Sequence, residues 1–507
     1  MTPMMKARLV ATGTAMFLLA GGLTAVSALP AAAATCASGV PGDVNGDGHA
    51  EVAVSESGVA GLRGGVHVFY GKSSGLVAKA SGRARDDQYF DQDTTGVPGR
   101  SEDSDNFGRA TAFGDFNDDG CADLALGVPG ENDRVGSVTI LYGSRSGLTT
   151  TGVQVLGAGS FPSGPGTDAR GIGSDLVVAD LDDDGVDDLA AAAVLTPVDG
   201  AADAGAVLVF YGTPSGLGGG SRQPDVLTRA TPGVPGSPAV EDFFGAPLAA
   251  GDFDGNGVSE LAVGLSSGTG GVQTLQRDSG GYGDPQPALI ATTASALAAG
   301  DLNADGRDDL AVGDPDEGCL ECDEEYGYGS VTVFSGSADG LAGPGTKWTQ
   351  DSSGVAGTAV PDDGFGYSLA IGPFDGDATD DLAVGTPSDE GYVGSVTLLL
   401  GSTGGLTTDG AGGALYDQAT PGIAGSQGPN RFGASLAAAF VQSGDQASLV
   451  IGVPSDDIGR YRGTGRIVQL SIQPSGPKAS TSRTLHLDSP GVKGKPAKYT
   501  SFGVEVS

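Results

Sequence analysis

Five copies of one nine-residue pattern, each followed directly by a short apolar run, constrain this chain more than any other feature. The copies read DVNGDGHAE, DFNDDGCAD, DLDDDGVDD, DFDGNGVSE and DLNADGRDD, and they begin at Asp43, Asp115, Asp180, Asp252 and Asp301. Each copy has oxygen-bearing side chains at positions 1, 3, 5 and 9, and a glycine at position 6 that permits a sharp turn. Such oxygens can converge on one hard cation, and the pattern is typical of a Ca²⁺ loop. We therefore predict about five Ca²⁺ sites.

Five residues of each loop are the predicted ligands, and position 7 contributes its backbone carbonyl rather than its side chain. They are Asp43, Asn45, Asp47, His49 and Glu51; Asp115, Asn117, Asp119, Cys121 and Asp123; Asp180, Asp182, Asp184, Val186 and Asp188; Asp252, Asp254, Asn256, Val258 and Glu260; and Asp301, Asn303, Asp305, Arg307 and Asp309.

The residues that follow each loop exclude an EF-hand. An EF-hand requires a bidentate glutamate at position 12, whereas these copies carry an aliphatic residue there: Val54, Leu126, Ala191, Val263 and Val312. The runs after the loops, such as Leu-Ala-Leu-Gly at 124–127, are short and of β type rather than amphipathic helices. The predicted ion therefore lies in a strand–loop–strand hairpin.

Each loop belongs to a longer repeated unit. Phe-Gly stands eight residues before the loop at 107–108 and 244–245, and Gly-x-Pro follows the next strand at 127–129 and 313–315. A second strand with period-2 alternation then ends in a glycine turn, as in GVHVFYG at 65–71. Seven units of about 68 residues each predict an all-β propeller of seven four-stranded blades.

The last two units have degenerate loops. The sixth begins its loop at Pro373 and keeps only three ligand-type residues: Asp375, Asp377 and Asp381. The seventh has Phe440, Gln442 and Ser448 at positions that require oxygen ligands elsewhere. We therefore predict a weak or empty site in the sixth unit and none in the seventh.

The Phe-Gly start, the loop and the Gly-x-Pro end resemble the FG-GAP repeat, which builds the seven-bladed propeller of integrin α-subunit heads and recurs in secreted bacterial proteins. The resemblance covers nearly all of residues 35–507, which it implies form a single seven-bladed propeller domain. It also implies that the ion loops lie on one face of the disc and that ligands are met on the opposite face. The chain departs from the pattern before Asp301, where Thr293-Ala294 replaces Phe-Gly.

The two ends of the chain predict how the ring closes. The first loop begins at Asp43 with no Phe-Gly before it, whereas Phe502-Gly503 stands five residues from the C-terminus. A Gly-Val-x-Gly linker at 491–494 precedes it, as similar linkers precede other units. We therefore predict that residues 502–507 form the inner strand of the first blade and so remove an open sheet edge.

The N-terminus of the chain predicts export, and its charge argues against two classes of partner. Residues 1–34 have a basic start, an apolar segment and an Ala-x-Ala site before Thr35, which predicts a signal peptide and a secreted, extracellular protein. No other stretch is long and apolar enough for membrane insertion. The net charge of −37 argues against nucleic acid and anionic membranes as partners.

Four cysteines in an exported chain favour disulfides. Cys319 and Cys322 most simply close a small local loop, and the alternatives are a redox pair or half of a zinc site. Cys36 and Cys121 then pair by elimination, which ties the mature N-terminus to the second ion loop.

No catalytic constellation is visible in the sequence. Gly-x-Ser-x-Gly at 71–75 lies where sister units have simple turns, and the three histidines, His49, His67 and His486, have no nucleophile or metal partner in a recognisable motif. The favoured interpretation is a monomeric binding or adhesion module for an extracellular protein or glycan. The alternative is a polysaccharide lyase or hydrolase with its site in the propeller channel.

Overall fold

The computed structural model describes residues 36, 39–57, 61–78, 87–160, 168–220, 222–265, 270–278, 281–283, 293–318, 327–410, 412–425, 427–442, 444–473, 476–477 and 482–507. The predicted signal peptide, residues 1–34, and the predicted pair Cys319–Cys322 lie outside the described residues. None of the helices in these ranges is long and apolar enough to cross a membrane.

The described chain folds into seven antiparallel sheets, which are the blades of a propeller. The first three blades contain β1 (Val52–Glu56), β2 (Gly65–Phe69) and β3 (Gln88–Phe90); β4 (Thr111–Gly114), β5 (Asp123–Val128), β6 (Ser137–Tyr142) and β7 (Thr149–Gly157); and β8 (Ile172–Ala179), β9 (Asp188–Ala193), β10 (Val207–Phe210) and β11 (Asp225–Leu227). Two short helical turns lie beside them, α1 (Glu131–Arg134) and a 3₁₀ turn (Ala158–Ser160).

The next two blades repeat the four-stranded meander. They contain β12 (Leu248–Gly251), β13 (Glu260–Leu265), β14 (Gly271–Asp278) and β15 (Gly281–Gly283); and β16 (Ala296–Gly300), β17 (Asp309–Asp314), β18 (Ser330–Ser335) and β19 (Ala342–Trp348).

The sixth and seventh blades keep these strands although their loops are degenerate. They contain β20 (Ser368–Gly372), β21 (Asp381–Thr386), β22 (Ser395–Leu399) and β23 (Ala414–Tyr416); and β24 (Ser435–Ala439), β25 (Ser448–Val453), β26 (Arg466–Leu470) and β29 (Arg483–Leu485). A second short helical turn, α2 (Asp389–Tyr392), and a small hairpin, β27 (Ile472–Gln473) with β28 (Gly476–Pro477), complete the elements.

The blades form a ring around their innermost strands. β4 contacts β8, and contacts continue through β12, β16 and β20 to β24. The second strand of each blade lies in the middle of its sheet and packs on both faces; all six residues of β5 and of β17 are buried. This explains why these strands read as continuous apolar runs rather than alternating ones.

The phenylalanines of the repeated Phe-Gly pair join neighbouring blades. Phe107, Phe244 and Phe365 are each 0–1% exposed. Each forms a parallel bridge with a glycine of the preceding blade, as Phe107 does with Gly64. A Cβ atom on Gly64 would lie 2.3 Å from the Phe107 carbonyl oxygen, so glycine is required for this close approach.

The C-terminal strand closes the ring, as the sequence predicts. Ala53 and Ser507 exchange both backbone hydrogen bonds, with N–O distances of 3.0 and 3.1 Å. The Ser55 amide donates to the Glu505 carbonyl at 3.0 Å, and the Gly503 amide donates back to Ser55 at 2.9 Å. Residues 503–507 therefore take the inner-strand position of the first blade, which β4 takes in the second.

Side chains fix this closing strand to both neighbouring blades. Phe502 is 0% exposed and bridges to Gly465 of the seventh blade. The Ser435 hydroxyl of β24 donates to the Gly503 carbonyl at 3.1 Å, and the Ser507 and Thr111 hydroxyls lie 2.7 Å apart.

The predicted Cys36–Cys121 disulfide is present. The two Cα atoms lie 4.9 Å apart, and both residues are buried. The Cys36 amide also donates to the Asp119 carbonyl at 3.1 Å, so the backbone at Cys36 is fixed to the second ion loop.

Candidate metal centres

The aspartate at position 1 organises each loop in the same way. One of its carboxylate oxygens accepts the backbone N–H of the glycine at position 6, at 2.7–2.9 Å in all five loops. These glycines have left-handed backbone angles, with φ between 81° and 91°. The loop therefore curls around the first carboxylate, which is why the sequence pattern requires glycine there. The five glycines are Gly48, Gly120, Gly185, Gly257 and Gly306.

The acid at position 9 is the buried anchor of each loop. Asp123, for example, is 0% exposed and accepts the Phe116 amide at 3.2 Å and the Gly143 amide at 2.8 Å. Gly143 follows β6, so this carboxylate joins the loop to the turn after the third strand. Asp188 has the same two kinds of partner, the amides of Leu181 and Gly212.

Three loops bring carboxylate oxygens together within 4.8 Å of one another. The groups are Asp43, Asp47 and Glu51; Asp180, Asp182 and Asp188; and Asp252, Asp254 and Glu260. In the part of the chain that the structure describes, no three acids of the second or fifth loop lie as close. In the second and fifth loops the asparagine at position 3 faces the acid at position 9. In the fifth loop, Asn303 Nδ2 lies 3.1 Å from both carboxylate oxygens of Asp309.

Two buried side-chain oxygens at position 3, one in the second loop and one in the third, indicate that these loops can bind a cation. Asn117 Oδ1 and Asp182 Oδ1 are buried and have no hydrogen-bond partner. A buried acceptor without a donor costs free energy, and a cation would offset that cost. The other metal ligands in these loops are carboxylates, and no thiolate or imidazole side chain is required. Such a ligand set fits a hard divalent ion.

Without an ion, the acids at position 9 are protonated at a higher pH than ordinary carboxylic acids, because their pKa values are raised. Burial, followed by the charges of the other loop carboxylates, raises the pKa of Asp123 to about 8 and that of Asp188 to about 7. The same causes raise the pKa of Glu260 to about 7 and that of Asp309 to about 6. A bound cation would neutralise this crowding of like charges.

The sixth and seventh loops are held by contacts different from those of the first five. In the sixth, Asp381 accepts the amides of Asp375 and Gly401, but Pro373 supplies no carboxylate at position 1. In the seventh, amide side chains make neutral hydrogen bonds: Gln442 Nε2 donates to the Ser471 hydroxyl at 2.7 Å, and Gln469 Nε2 donates to that of Ser448 at 2.9 Å.

Sequence reasoning missed the bonds that join one loop to the next around the ring. Asp187, Asp308 and Asp380, each at position 8, accept the amide of the first aspartate in the preceding blade's loop, at 2.8, 2.9 and 3.2 Å. The signal in the sequence is a second acid directly before position 9, as in Asp187-Asp188. These bonds join the second loop to the third, the fourth to the fifth, and the fifth to the sixth.

The motifs set aside in the sequence have structural roles. Residues 72–75 form a turn in which the Gly75 amide donates to the Lys72 carbonyl at 2.7 Å. His67 is 0% exposed in β2, with Nδ1 3.4 Å from Asp87 Oδ2 and its ring 5.3 Å from that of Phe502. That none of the three histidines is catalytic stays a prediction.

Comparisons with known proteins agree with this geometry. The FG-GAP repeat family profile matches residues 107–141 and 293–334, and the second match includes the unit that lacks Phe-Gly. Phosphatidylinositol-glycan-specific phospholipase D of Rattus norvegicus is 32% identical over 180 residues, 34% of this chain and 20% of that protein. Integrin alpha-5 of Xenopus laevis is 34% identical over 173 residues, 31% of this chain and 14% of that protein.

The similarity to these relatives is confined to a fifth or less of their own length. Among solved structures, BBS1N in complex with ARL6DN aligns over 77% of this chain and 94% of that chain, with 12% identity and a TM-score of 0.37. The matched repeats, the loops and the closed ring together identify the chain as an FG-GAP repeat protein with an integrin α-like, seven-bladed β-propeller fold.

Proposed function

We propose that this protein is an extracellular, Ca²⁺-stabilised binding module that meets a protein or glycan partner on the face opposite the ion loops. The observation that supports the proposal is that the two faces of the ring differ: one carries the ion loops, and the other carries the linkers between blades. The ion loops and the turns after the third strands share one face, where Asp123 joins its loop to Gly143. Backbone and carboxylate bonds join several neighbouring loops on that face, as between Asp115 and Asp187.

The opposite face carries the linkers between blades and the turns between second and third strands. Linkers contact turns on this face. For example, the amide of Gly130, in the turn after β5, donates to the carbonyl of Asp105, in the linker before Phe107, at 3.1 Å. Their sequences differ from blade to blade far more than the ion loops do. A rigid ring that presents variable loops is the usual arrangement of a binding site on a scaffold.

Ca²⁺ is the proposed ion, with one site in each of the first five blades. The support is the ligand set of carboxylate and amide oxygens together with the glycine turn. Calorimetric titration of chelated protein tests the number of sites, and we expect about five, with little or no contribution from the sixth loop. Absence of any calcium binding would contradict this part of the proposal.

The binding role is tested by a glycan array and by capture of surface proteins, using residues 35–507 with calcium and with a chelator. We expect retention of a defined partner that is lost when the chelator loosens the ring. Turnover of a polysaccharide panel, instead of retention, would contradict the binding role and favour catalysis in the channel.

A further inference from the structure

The third ion loop carries one carboxylate more than each of the other four. Its ligand positions 1, 3, 5 and 9 are all aspartates: Asp180, Asp182, Asp184 and Asp188. Each of the other loops has three acids and one asparagine at these positions, and the asparagines are Asn45, Asn117, Asn256 and Asn303. An added carboxylate raises the affinity of a loop for a cation and also the repulsion within the loop when no ion is bound. A positive group beside the third loop would cancel this excess.

An arginine supplies that positive group. Arg222, in the segment between β10 and β11, pairs through Nη1 with Asp182 Oδ2. The Asp182 side chain is 6% exposed and that of Arg222 is 30% exposed. Salt screens a partly buried pair much less than an exposed one. The charge of Arg222 therefore acts on the third loop more strongly than a surface charge would.

The pair with Arg222 leaves the second oxygen of Asp182 available. Asp182 Oδ1 is buried and, among the described residues, has no hydrogen-bond partner. Asp180, Asp182 and Asp188 each place one ligand atom within 4.8 Å of the others. Asp182 can therefore bind a cation through one oxygen while the arginine holds the other.

Contacts outside the loop hold Arg222 in this position. Its Cζ atom lies 3.7 Å from the centroid of the Tyr211 ring, which follows β10 and is buried. The Tyr211 hydroxyl donates to Asp225 Oδ2, in β11, at 2.6 Å. A guanidinium over the face of an aromatic ring is a favourable arrangement. The outer strands of the third blade therefore position the arginine against the ion loop.

The fourth loop shows the neutral counterpart of this arrangement. It also has an aspartate at position 3, Asp254, but Asn256 at position 5 keeps its acids at three. Asp254 Oδ2 accepts the side-chain amides of Asn256 at 2.9 Å and of Gln276 at 3.2 Å. The aspartate at position 3 thus has a cationic partner in the loop with the extra acid and neutral partners in the loop without it.

The fifth loop has a nearby arginine that differs from Arg222. Arg307 Nη1 lies 3.8 Å from Asp305 Oδ1, and both side chains are partly exposed. Such an exposed ion pair contributes little, because solvent screens it. The fifth loop also has no extra acid to cancel, since Asn303 is at position 3.

We propose that Arg222 is the charge-compensating residue of the third calcium site, where it holds one oxygen of Asp182 and leaves the other for the ion. The proposal rests on the Ca²⁺ sites proposed above and deepens them by naming the residue that sets the affinity of one site. In the other loops an asparagine keeps the number of charges at three, whereas in the third loop Arg222 cancels the fourth charge. The third site therefore has an affinity close to that of its neighbours although its ligands differ.

The test is a charge-balanced pair of substitutions in residues 35–507. Arg222→Gln leaves four uncompensated carboxylates, so one site should bind Ca²⁺ at least about tenfold more tightly. Asp182→Asn leaves three carboxylates beside the arginine, so that site should bind at least about tenfold more weakly. The double variant recreates the asparagine pattern of the first, second and fifth loops and should bind like the unaltered protein. Titration in competition with a chromophoric chelator measures the affinities.

Three controls place the effect in the third loop and identify its cause. Arg170→Gln changes the net charge equally but alters an exposed arginine of the same blade, which donates to the Asp133 carbonyl at 3.0 Å, and it should leave calcium binding unchanged. In an Asp180→Ala background, which lacks the third site, Arg222→Gln should not affect the other sites. Tb³⁺ should gain more affinity than Ca²⁺ from Arg222→Gln, because the electrostatic energy is proportional to the charge of the ion.

Two results with the single variants would overturn the proposal. The first is calcium binding by Arg222→Gln that is unchanged or weaker. The second is tighter binding by Asp182→Asn, because Arg222 would then only block the site. A double variant that does not return to the affinity of the unaltered protein would also overturn it.

This inference and the proposed function fail separately. Absence of calcium binding by the unaltered protein would contradict the proposed ion sites themselves. About five bound ions whose affinities do not respond to Arg222→Gln would leave those sites standing and overturn only the role of Arg222.

Discussion

The fifth and seventh blades contain the same hairpin between their first two strands, but different side chains hold its loop. These are carboxylates in the fifth blade and neutral amide and hydroxyl groups in the seventh. In the fifth, Gly300 pairs with Asp309 where the first two strands meet; in the seventh, Ala439 pairs with Ser448 in the same register. The fifth loop is held by carboxylates that accept backbone amides. The seventh is held by the amide of Gln442 and by neutral hydroxyls.

This difference shows that the strands depend on the apolar run, whereas ion binding depends on the carboxylates of the loop. β17 and β25 are both fully buried six-residue strands, so the apolar run defines the hairpin in either blade. The acidic loop adds carboxylates whose burial and repulsion must be offset by a cation. The seventh loop avoids that cost because Phe440, Gln442, Gly444 and Ser448 leave it without a carboxylate at positions 1, 3, 5 and 9. Ion binding should therefore affect the first five blades and leave the seventh unchanged.

Calcium removal is expected to have the largest effect. Each occupied site stabilises the folded state by about 2.7 kcal/mol when free calcium is a hundredfold above the dissociation constant. Chelation should therefore lower the melting temperature strongly, and added calcium should restore it. Scanning calorimetry with and without a chelator measures this, and an unchanged melting temperature would contradict the comparison.

Deletion of residues 500–507 should have the next largest effect. Loss of the buried Phe502 side chain alone costs about 3–5 kcal/mol, and the bonds to Ala53 and Ser55 are lost with it. Because these contacts involve strands and not ion loops, the loss should be similar with and without calcium. Phe502→Leu is the milder control, and a truncated protein that melts like the full chain would refute strand closure.

Single substitutions compare the two loops directly. Asp301→Ala should remove one calcium ion from the stoichiometry, and Asp115→Ala should do the same in the second loop. Gln442→Ala should leave the stoichiometry unchanged and cost only about 1 kcal/mol for its hydrogen bond to Ser471. Titration calorimetry and thermal melts on matched samples provide the measurement; calcium loss in the glutamine variant would show that the seventh loop also holds an ion.

An acid outside the loops is expected to have an effect on stability that depends on pH. Burial raises the pKa of Glu505, in the closing strand, to about 8; nearby Arg109 lowers it and Asp175 raises it. The folded state therefore keeps a proton that the unfolded chain loses near pH 4.5, so this contribution to stability falls as the pH rises from about 4.5 to about 8.

Glu505→Gln should remove this pH dependence. We expect the variant to be more stable than the unaltered protein by roughly 1–3 kcal/mol at pH 8.5 and nearly equal to it at pH 4. The measurement is made in saturating calcium, which suppresses the titration of the loop acids. A difference that disappears with calcium would place the effect in the loops instead.

The sequence alone determined the repeated parts of this protein. The nine-residue loops, the apolar runs after them and the Phe-Gly pairs are local patterns. Together they define a unit that recurs seven times, and this repetition predicts both the hairpin and the ring. The closing strand was also predictable, because Phe502-Gly503 is a complete start signal without a following unit. Cys36–Cys121 followed from cysteine arithmetic alone.

Only the tertiary structure decided how the units meet. The bonds from Asp187, Asp308 and Asp380 to neighbouring loops join residues 56–79 positions apart, and no local pattern states which blade will face which. The pairing of Arg466 with Asp456 likewise depends on which side chains share a space after folding. Sequence periodicity fixes the repeating unit because that information is local, whereas charge compensation between units exists only once the ring brings them together.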